Sequence, residues 1–172
     1  MSKLLVVVDM QVDFVNGSLG TAEAVSIVPA VVNKITAELE NGSTVVFTKD
    51  THFENYLETQ EGKNLPVVHC VKGTEGWELV PELRKLAAER MVIEKVTFGS
   101  TKLAHYAAQN QFDEIELIGL CTDICVISNA LLMKAALPEA LIKVCEACCA
   151  GVTPQSHKNA LEAMKMCQIS VY

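Results

Sequence analysis

The sequence predicts an α/β fold, a mostly parallel sheet with helices on both faces. Three observations predict it. Apolar runs of strand length alternate along the chain with stretches of helical period, and such alternation makes βα units joined by right-handed crossovers. The first run, Lys3–Asp9, is continuously aliphatic, as expected of a strand covered on both faces. Half of the 172 residues are hydrophobic and 20% are charged, which is a globular composition able to fill a sizeable core. At about 150 residues per domain, residues 1–172 are expected to form one domain.

The elements follow in order. Val25–Glu40 carries Val28, Val31, Val32, Ile35 and Leu39 at helical spacing, and Asn41-Gly42 supplies its stop. Thr44–Thr48 reads as the second strand. Residues 49–77 have little periodicity, and so long an irregular segment in a compact domain is usually functional. Glu78–Ala88 is a helix, Met91–Lys95 a strand, Thr101–Gln109 a helix and Glu114–Gly119 a strand. Thr122 can cap a helix from Asp123 to Ala136. Ala140–Val144 is the fifth strand. Thr153 as cap and Pro154 at the first position start a helix to Met166, and Ile169–Tyr172 closes the chain as a sixth strand.

Composition excludes several classes. Fourteen Lys and Arg against 21 Asp and Glu give a net charge of −7 without a basic run, so neither nucleic acid nor an anionic membrane is an expected partner. No apolar stretch approaches the roughly 18–20 residues that span a bilayer, and the apolar start has no cleavage pattern. Seven cysteines at irregular spacing read as reduced thiols of a cytoplasmic protein.

In parallel sheets ligands bind beyond the carboxyl ends of the strands, so reactive residues there matter most. Asp9 follows the first strand, as a turn-former or as a general base. Lys95 ends the third, as a solvated terminus or as a fixed positive charge. Cys125 falls near the start of the helix after the fourth, as a buried small hydrophobe or as a nucleophile. A helix N-terminus and a nearby Lys both predict a lowered thiol pKa. Together the three supply a base, an electrostatic partner and a nucleophile.

The long segment carries Asp50-Thr-His52 and, further on, His69-Cys70. These residues form either a polar loop or a site for Zn²⁺, Fe²⁺ or Mn²⁺, with Glu54, Glu58 or Glu61 as a further oxygen ligand. Cys145, Cys148 and Cys149 read as small core residues. The acidic cluster from Asp113 to Glu116 reads as a solvated strand start.

These residues carry a resemblance. Val8-Asp9-Met-Gln11-Val-Asp13-Phe14 resembles the Asp-x-Gln-x-Asp-Phe opening of the isochorismatase-like cysteine hydrolases, and Gly119-Leu-Cys121-Thr-Asp-Ile-Cys125-Val126 resembles their nucleophile motif. Lys95 keeps the family's order of Asp, Lys, Cys. Asp50-x-His52 and Pro66 through His69-Cys70 resemble the metal loop of the nicotinamidase branch.

The resemblance covers nearly the whole chain and implies a Rossmann-like three-layer αβα sandwich on a six-stranded parallel sheet. It also implies amide hydrolysis through a thioester on Cys125, with Asp9 as proton carrier and Lys95 favouring the thiolate. Backbone N–H groups of Cys121 and Cys125 would form the oxyanion hole, the first following a cis peptide. A divalent metal, Zn²⁺ by preference, would sit on Asp50, His52, His69 and Glu61, with Glu58 as the alternative fourth ligand, and would orient the substrate ring by its pyridine nitrogen. Phe14 and Phe98 fall where the family places aromatics around that ring.

The implied partner is a small amide: nicotinamide, or otherwise a carbamoyl or ureido compound or maleamate. Nicotinamidases often carry Trp or Phe about three residues before the second metal His, whereas this chain has Leu65-Pro66-Val67-Val68 before His69, with no aromatic. A non-catalytic thiol or zinc protein is the reading from another class. Family members commonly form dimers or tetramers, so a homo-oligomer is expected.

Overall fold

The computed structural model describes residues 2–172. Its six strands are β1 (Lys3–Val8), β2 (Thr44–Asp50), β3 (Met91–Lys95), β4 (Glu114–Leu120), β5 (Leu141–Ala150) and β6 (Ser170–Val171). They form one sheet in the order β3-β2-β1-β4-β5-β6, and every pairing is parallel. The helices are α1 (Val12–Val15), α2 (Ala22–Glu40), α3 (Gln60–Asn64), α4 (Pro81–Ala87), α5 (Thr101–Asn110), α6 (Ile127–Ala136) and α7 (Pro154–Met166).

Side chains alternate across β1. Leu4, Val6 and Val8 join Leu103 of α5, Met133 of α6 and Leu161 of α7 in one core. Leu5 and Val7 join Val31 and Ile35 of α2 and Leu83 of α4 in the other. Helices therefore cover both faces, as a sheet of continuously aliphatic strands requires. This is the expected three-layer αβα arrangement. None of the described helices is long and apolar enough to cross a membrane.

The differences from expectation have local causes. Helix α2 begins at Ala22 because the Thr21 hydroxyl accepts from Ala24 N at 3.0 Å. Strand β5 runs to Ala150, with a register break opposite Leu117 and Gly119. It buries Cys145, Cys148 and Cys149 as core residues. Gly119, at φ +113°, lies so close to β1 that a Cβ would stand 2.2 Å from the Val8 carbonyl oxygen, so only glycine lets the two central strands approach there.

The acidic cluster is not simply a solvated strand start. Asp113 is exposed, but Glu116 is fully buried. It meets Lys3 Nζ at 2.7 Å and Lys34 Nζ at 2.9 Å, and accepts from Tyr172 Oη at 2.5 Å. Glu116→Ala removes the buried anion of this network, while Lys3 keeps Glu38 and Glu114 and Lys34 keeps Glu38 and Tyr172, and is expected to lower unfolding stability by roughly 1–3 kcal/mol, less than removing one partner of an isolated buried pair. Chemical denaturation checks this, and a loss below about 1 kcal/mol, the scale of an exposed pair, would contradict it.

Candidate active site and metal cluster

The order β3-β2-β1-β4-β5-β6 places the topological switch between β1 and β4. Ligand crevices form beyond the carboxyl ends at such a point. Asp9 is the first residue after β1, Asp50 the last of β2, Lys95 the last of β3, and Cys121–Cys125 follow β4. Four strand ends thus converge on one crevice.

Asp9 adopts φ +47°, a left-handed conformation that Asp tolerates better than most residues. It is fully buried. Its Oδ1 accepts from Thr48 Oγ1 at 2.6 Å, and its Oδ2 lies 2.6 Å from Lys95 Nζ. The same ammonium reaches Cys125 Sγ at 3.4 Å, Asp50 Oδ1 at 3.4 Å and the Thr97 carbonyl at 3.1 Å. Lys95 is therefore no solvated terminus. Burial works against its charge, but Asp9, Cys125 and Asp50 together hold its pKa above the ordinary value.

Two expectations about Cys125 are corrected. Thr122 is not the cap. Its buried hydroxyl bonds His157 Nδ1 at 2.7 Å, and Cys121 takes the flanking position. The first turn, Thr122–Val126, is π-helical, with the Cys121 carbonyl accepting from both Ile124 N and Val126 N. Cys125 is thus the fourth residue of a widened turn, not the third of an α-helix. The Leu120–Cys121 peptide is cis, as expected.

The thiol pKa is raised, not lowered. Burial and the Asp9 charge push it up and outweigh Lys95. Burial likewise raises Asp9, so acid and thiol compete for protons beside one ammonium. Asp9→Asn removes the opposing charge. The pH midpoint of Cys125 alkylation is then expected to fall, because the larger of the two opposing carboxylate charges is gone while Lys95 remains; an unmoved or higher midpoint would contradict this balance.

The second group gathers at the ends of β2 and the long segment. Asp50, His52, Glu61 and His69 each offer a ligand atom, all within 4.8 Å of one another. His52 Nε2 lies 3.0 Å from Asp50 Oδ2 and 3.6 Å from Glu61 Oε1. His69 Nδ1–H donates to the Val67 carbonyl at 2.8 Å, which leaves Nε2 bare toward the cluster, as a metal-bound imidazole requires. Two imidazoles and two carboxylates suit Zn²⁺, Fe²⁺ or Mn²⁺. Burial opposes the Asp50 charge, yet hydrogen bonds from His52 and His69 hold its pKa well below the usual range. Glu61 is raised by burial and by Asp50. Glu58 is exposed and outside the cluster. Nor is the segment wholly irregular: α3 carries Glu61, and a parallel bridge joins His52 to Val71.

Sequence reasoning did not assign the residues that hold these groups. The Gln11 amide acts as a strand partner for Asp50, accepting from its N–H at 2.7 Å and donating to its carbonyl at 2.8 Å. Asp13 accepts from Cys70 N at 2.8 Å and so fixes the chain beside His69. The Trp77 indole donates to Thr51 Oγ1 at 3.0 Å, and its carbonyl accepts from Gln11, closing the long segment on the body. The opening motif quoted above contained Gln11 and Asp13, but their partners lie far along the chain.

Between the two groups lies a cavity of about 320 Å³. Cys121 and Cys125, Asp50, Glu61 and His69, and Phe14 and Phe98 are all in its wall. The arrangement sets a thiol, backed by the Lys95 ammonium and through it by Asp9, and three members of a metal-type donor set in the wall of one small apolar chamber.

Comparison with known proteins identifies the family and matches the fold. A family model described as Isochorismatase domain matches residues 3–171. A Bacillus subtilis protein described as an uncharacterized isochorismatase family protein is 32% identical over 143 residues, 76% of this chain and 78% of its own length. The nicotinamidase/pyrazinamidase of Mycobacterium tuberculosis is 28% identical over 185 aligned positions, covering 98% of this chain and 97% of its own. The solved structure of the Pyrococcus horikoshii pyrazinamidase in complex with zinc superposes with a TM-score of 0.85 at 29% identity, over 100% of this chain and 99% of that one.

Proposed function

The chain belongs to the isochorismatase family, and from that premise we propose that it is an amidohydrolase cleaving nicotinamide to nicotinate and ammonia, with all of residues 1–172 acting as one catalytic domain. The observation that carries this reading is one apolar cavity whose wall holds both Cys125 and the metal-type ligands Asp50, Glu61 and His69. The zinc complex of the related pyrazinamidase supports the metal half of it.

In this mechanism Asp9 takes the Cys125 thiol proton, and Lys95 offsets the thiolate charge formed. The sulfur attacks the amide carbon. Backbone N–H groups of Cys121 and Cys125 receive the oxyanion, a role in which preorganised donors are worth about 3–4 kcal/mol each. The C–N bond breaks as Asp9 returns its proton to the leaving nitrogen, releasing ammonia. Water then adds to the thioester while Asp9 takes its proton, and the C–S bond breaks to give nicotinate and the restored thiol. Asp50, His52, Glu61 and His69 would hold a divalent metal, which when bound supplies a Lewis-acidic site for the ring nitrogen. Phe14 and Phe98 flank the ring.

A second reading, hydrolysis of another small amide, is favoured by Leu65, which puts an aliphatic side chain in the cavity wall. Anionic members of that class fit less well, because among the described residues no lysine or arginine lines the cavity. Ammonia release from nicotinamide, with and without added Zn²⁺, Mn²⁺ or Fe²⁺, tests the proposal. Metal-stimulated release is expected. No release from metal-loaded protein, together with release from a neutral non-pyridine amide, would replace the first reading by the second.

A further inference from the structure

We propose that Asn129 is a positioning residue that fixes the separation between the Cys125 nucleophile and the aromatic wall at Phe98. The inference rests on the amidase reading above. Asn129 lies in the first turn of α6 and is fully buried, where an amide is costly unless its donors and acceptor are used. Its Nδ2 donates to the Cys125 carbonyl at 2.8 Å and to the Phe98 carbonyl at 3.1 Å. Its Oδ1 accepts from Ser100 N at 2.9 Å. A flipped amide would set oxygen against two carbonyls, so the orientation is determined by its partners. One side chain thus ties the nucleophile's own peptide to both sides of Gly99.

The segment it holds needs a directional tie. Val96 is 69% exposed and Phe98 42% exposed, so little packing restrains either side chain. Gly99 rests on α6 so closely that a Cβ would meet Leu132 Cδ1 at 2.7 Å. Apolar contact of that kind is non-directional and permits sliding along the helix. The Lys95 ammonium holds the Thr97 carbonyl at 3.1 Å and the Ser100 hydroxyl caps α5, and between these two ties the three Asn129 bonds set the register of Phe98 and Gly99 against α6. They hold Phe98 at a fixed offset from Cys125, and therefore hold the amide carbon of a ring stacked on Phe98 at a fixed offset from the sulfur. A misplacement of about 1 Å at such a point costs up to roughly 100-fold in rate.

The test is a double-mutant cycle on the metal-loaded enzyme. Asn129→Asp keeps the shape and the acceptor but loses both donors; Asn129→Ala is the second variant should the first fail to fold. Phe98→Ala is the partner substitution, at an exposed side chain. Two readouts are used: kcat and KM for nicotinamide, and the ratio of Cys125 alkylation rates by iodoacetanilide, which bears a ring, and iodoacetamide, which does not. The ratio cancels any change in thiol acidity.

Asn129→Asp is expected to lower kcat/KM roughly 10- to 100-fold, with metal content unchanged, and to lower the alkylation ratio. In the Phe98→Ala background the same substitution is expected to cost less than about threefold, since coupled residues are non-additive. Equal slowing of both reagents, or the full cost retained without Phe98, would overturn the proposal and leave Asn129 a purely structural residue. If the wild-type enzyme does not hydrolyse nicotinamide, the amidase reading fails separately, and the alkylation ratios still decide the role of Asn129.

Discussion

Replacing Cys125 by alanine is expected to lower kcat/KM for nicotinamide by roughly ten thousand-fold or more, the scale seen when a covalent nucleophile is removed. No neighbouring thiol can take over. Cys121 also lines the cavity, but the thiol that the Lys95 ammonium contacts, at 3.4 Å, is that of Cys125. The fold should survive, because the change removes one atom from a packed site, at a cost of about 1 kcal/mol, like the loss of a methyl group. Ammonia release and a denaturation curve read the two halves of the prediction. Retained turnover would remove the proposed nucleophile.

Asp50→Ala is expected to weaken metal binding by at least about 100-fold, more than the loss of a typical outer-shell partner, and to raise KM for nicotinamide. Asp50 is the best anchor in the cluster. Its Oδ2 lies 3.0 Å from His52 Nε2 and 3.6 Å from His69 Nε2, and its pKa is held low, so it remains a carboxylate over the working pH range. Glu61, raised by burial and by the Asp50 charge, is the weaker anion. Elemental analysis after gel filtration checks the metal, and full occupancy would refute the ligand assignment.

The parts of the site that sit at strand ends were legible in the sequence. Asp9 and Lys95 each fall at the end of an expected strand, so their convergence follows from parallel topology, whereas Asp50, read as part of the long segment, proves to be the last residue of β2. Asp50, His52 and His69 were legible in their spacing as candidate ligands, but spacing left Glu54, Glu58 and Glu61 open, and the preference for Glu61, the one in the cluster, came from the family resemblance. The rest depends on contacts that no local pattern encodes. Glu116 looks like a solvated residue until Lys3, Lys34 and Tyr172 are brought to it from elsewhere in the chain. The π turn before α6 is invisible to a 3.6-residue period. The Cys125 shift was misjudged in sign because helix position and Lys95 are readable in sequence, whereas complete burial beside Asp9 is not. Gln11, Asp13 and Asn129 share one signature: buried or half-buried polar side chains whose partners are backbone groups far along the chain.

The central claim is a thioester on Cys125, and hydroxylamine partitioning tests it most directly. With nicotinamide and rising hydroxylamine, the wild-type enzyme should divert product from nicotinate to the hydroxamate while ammonia release continues, and Cys125→Ala should yield neither. Nicotinate as the sole product, at hydroxylamine concentrations that trap an authentic aryl thioester, would mean direct attack by water and would contradict the account.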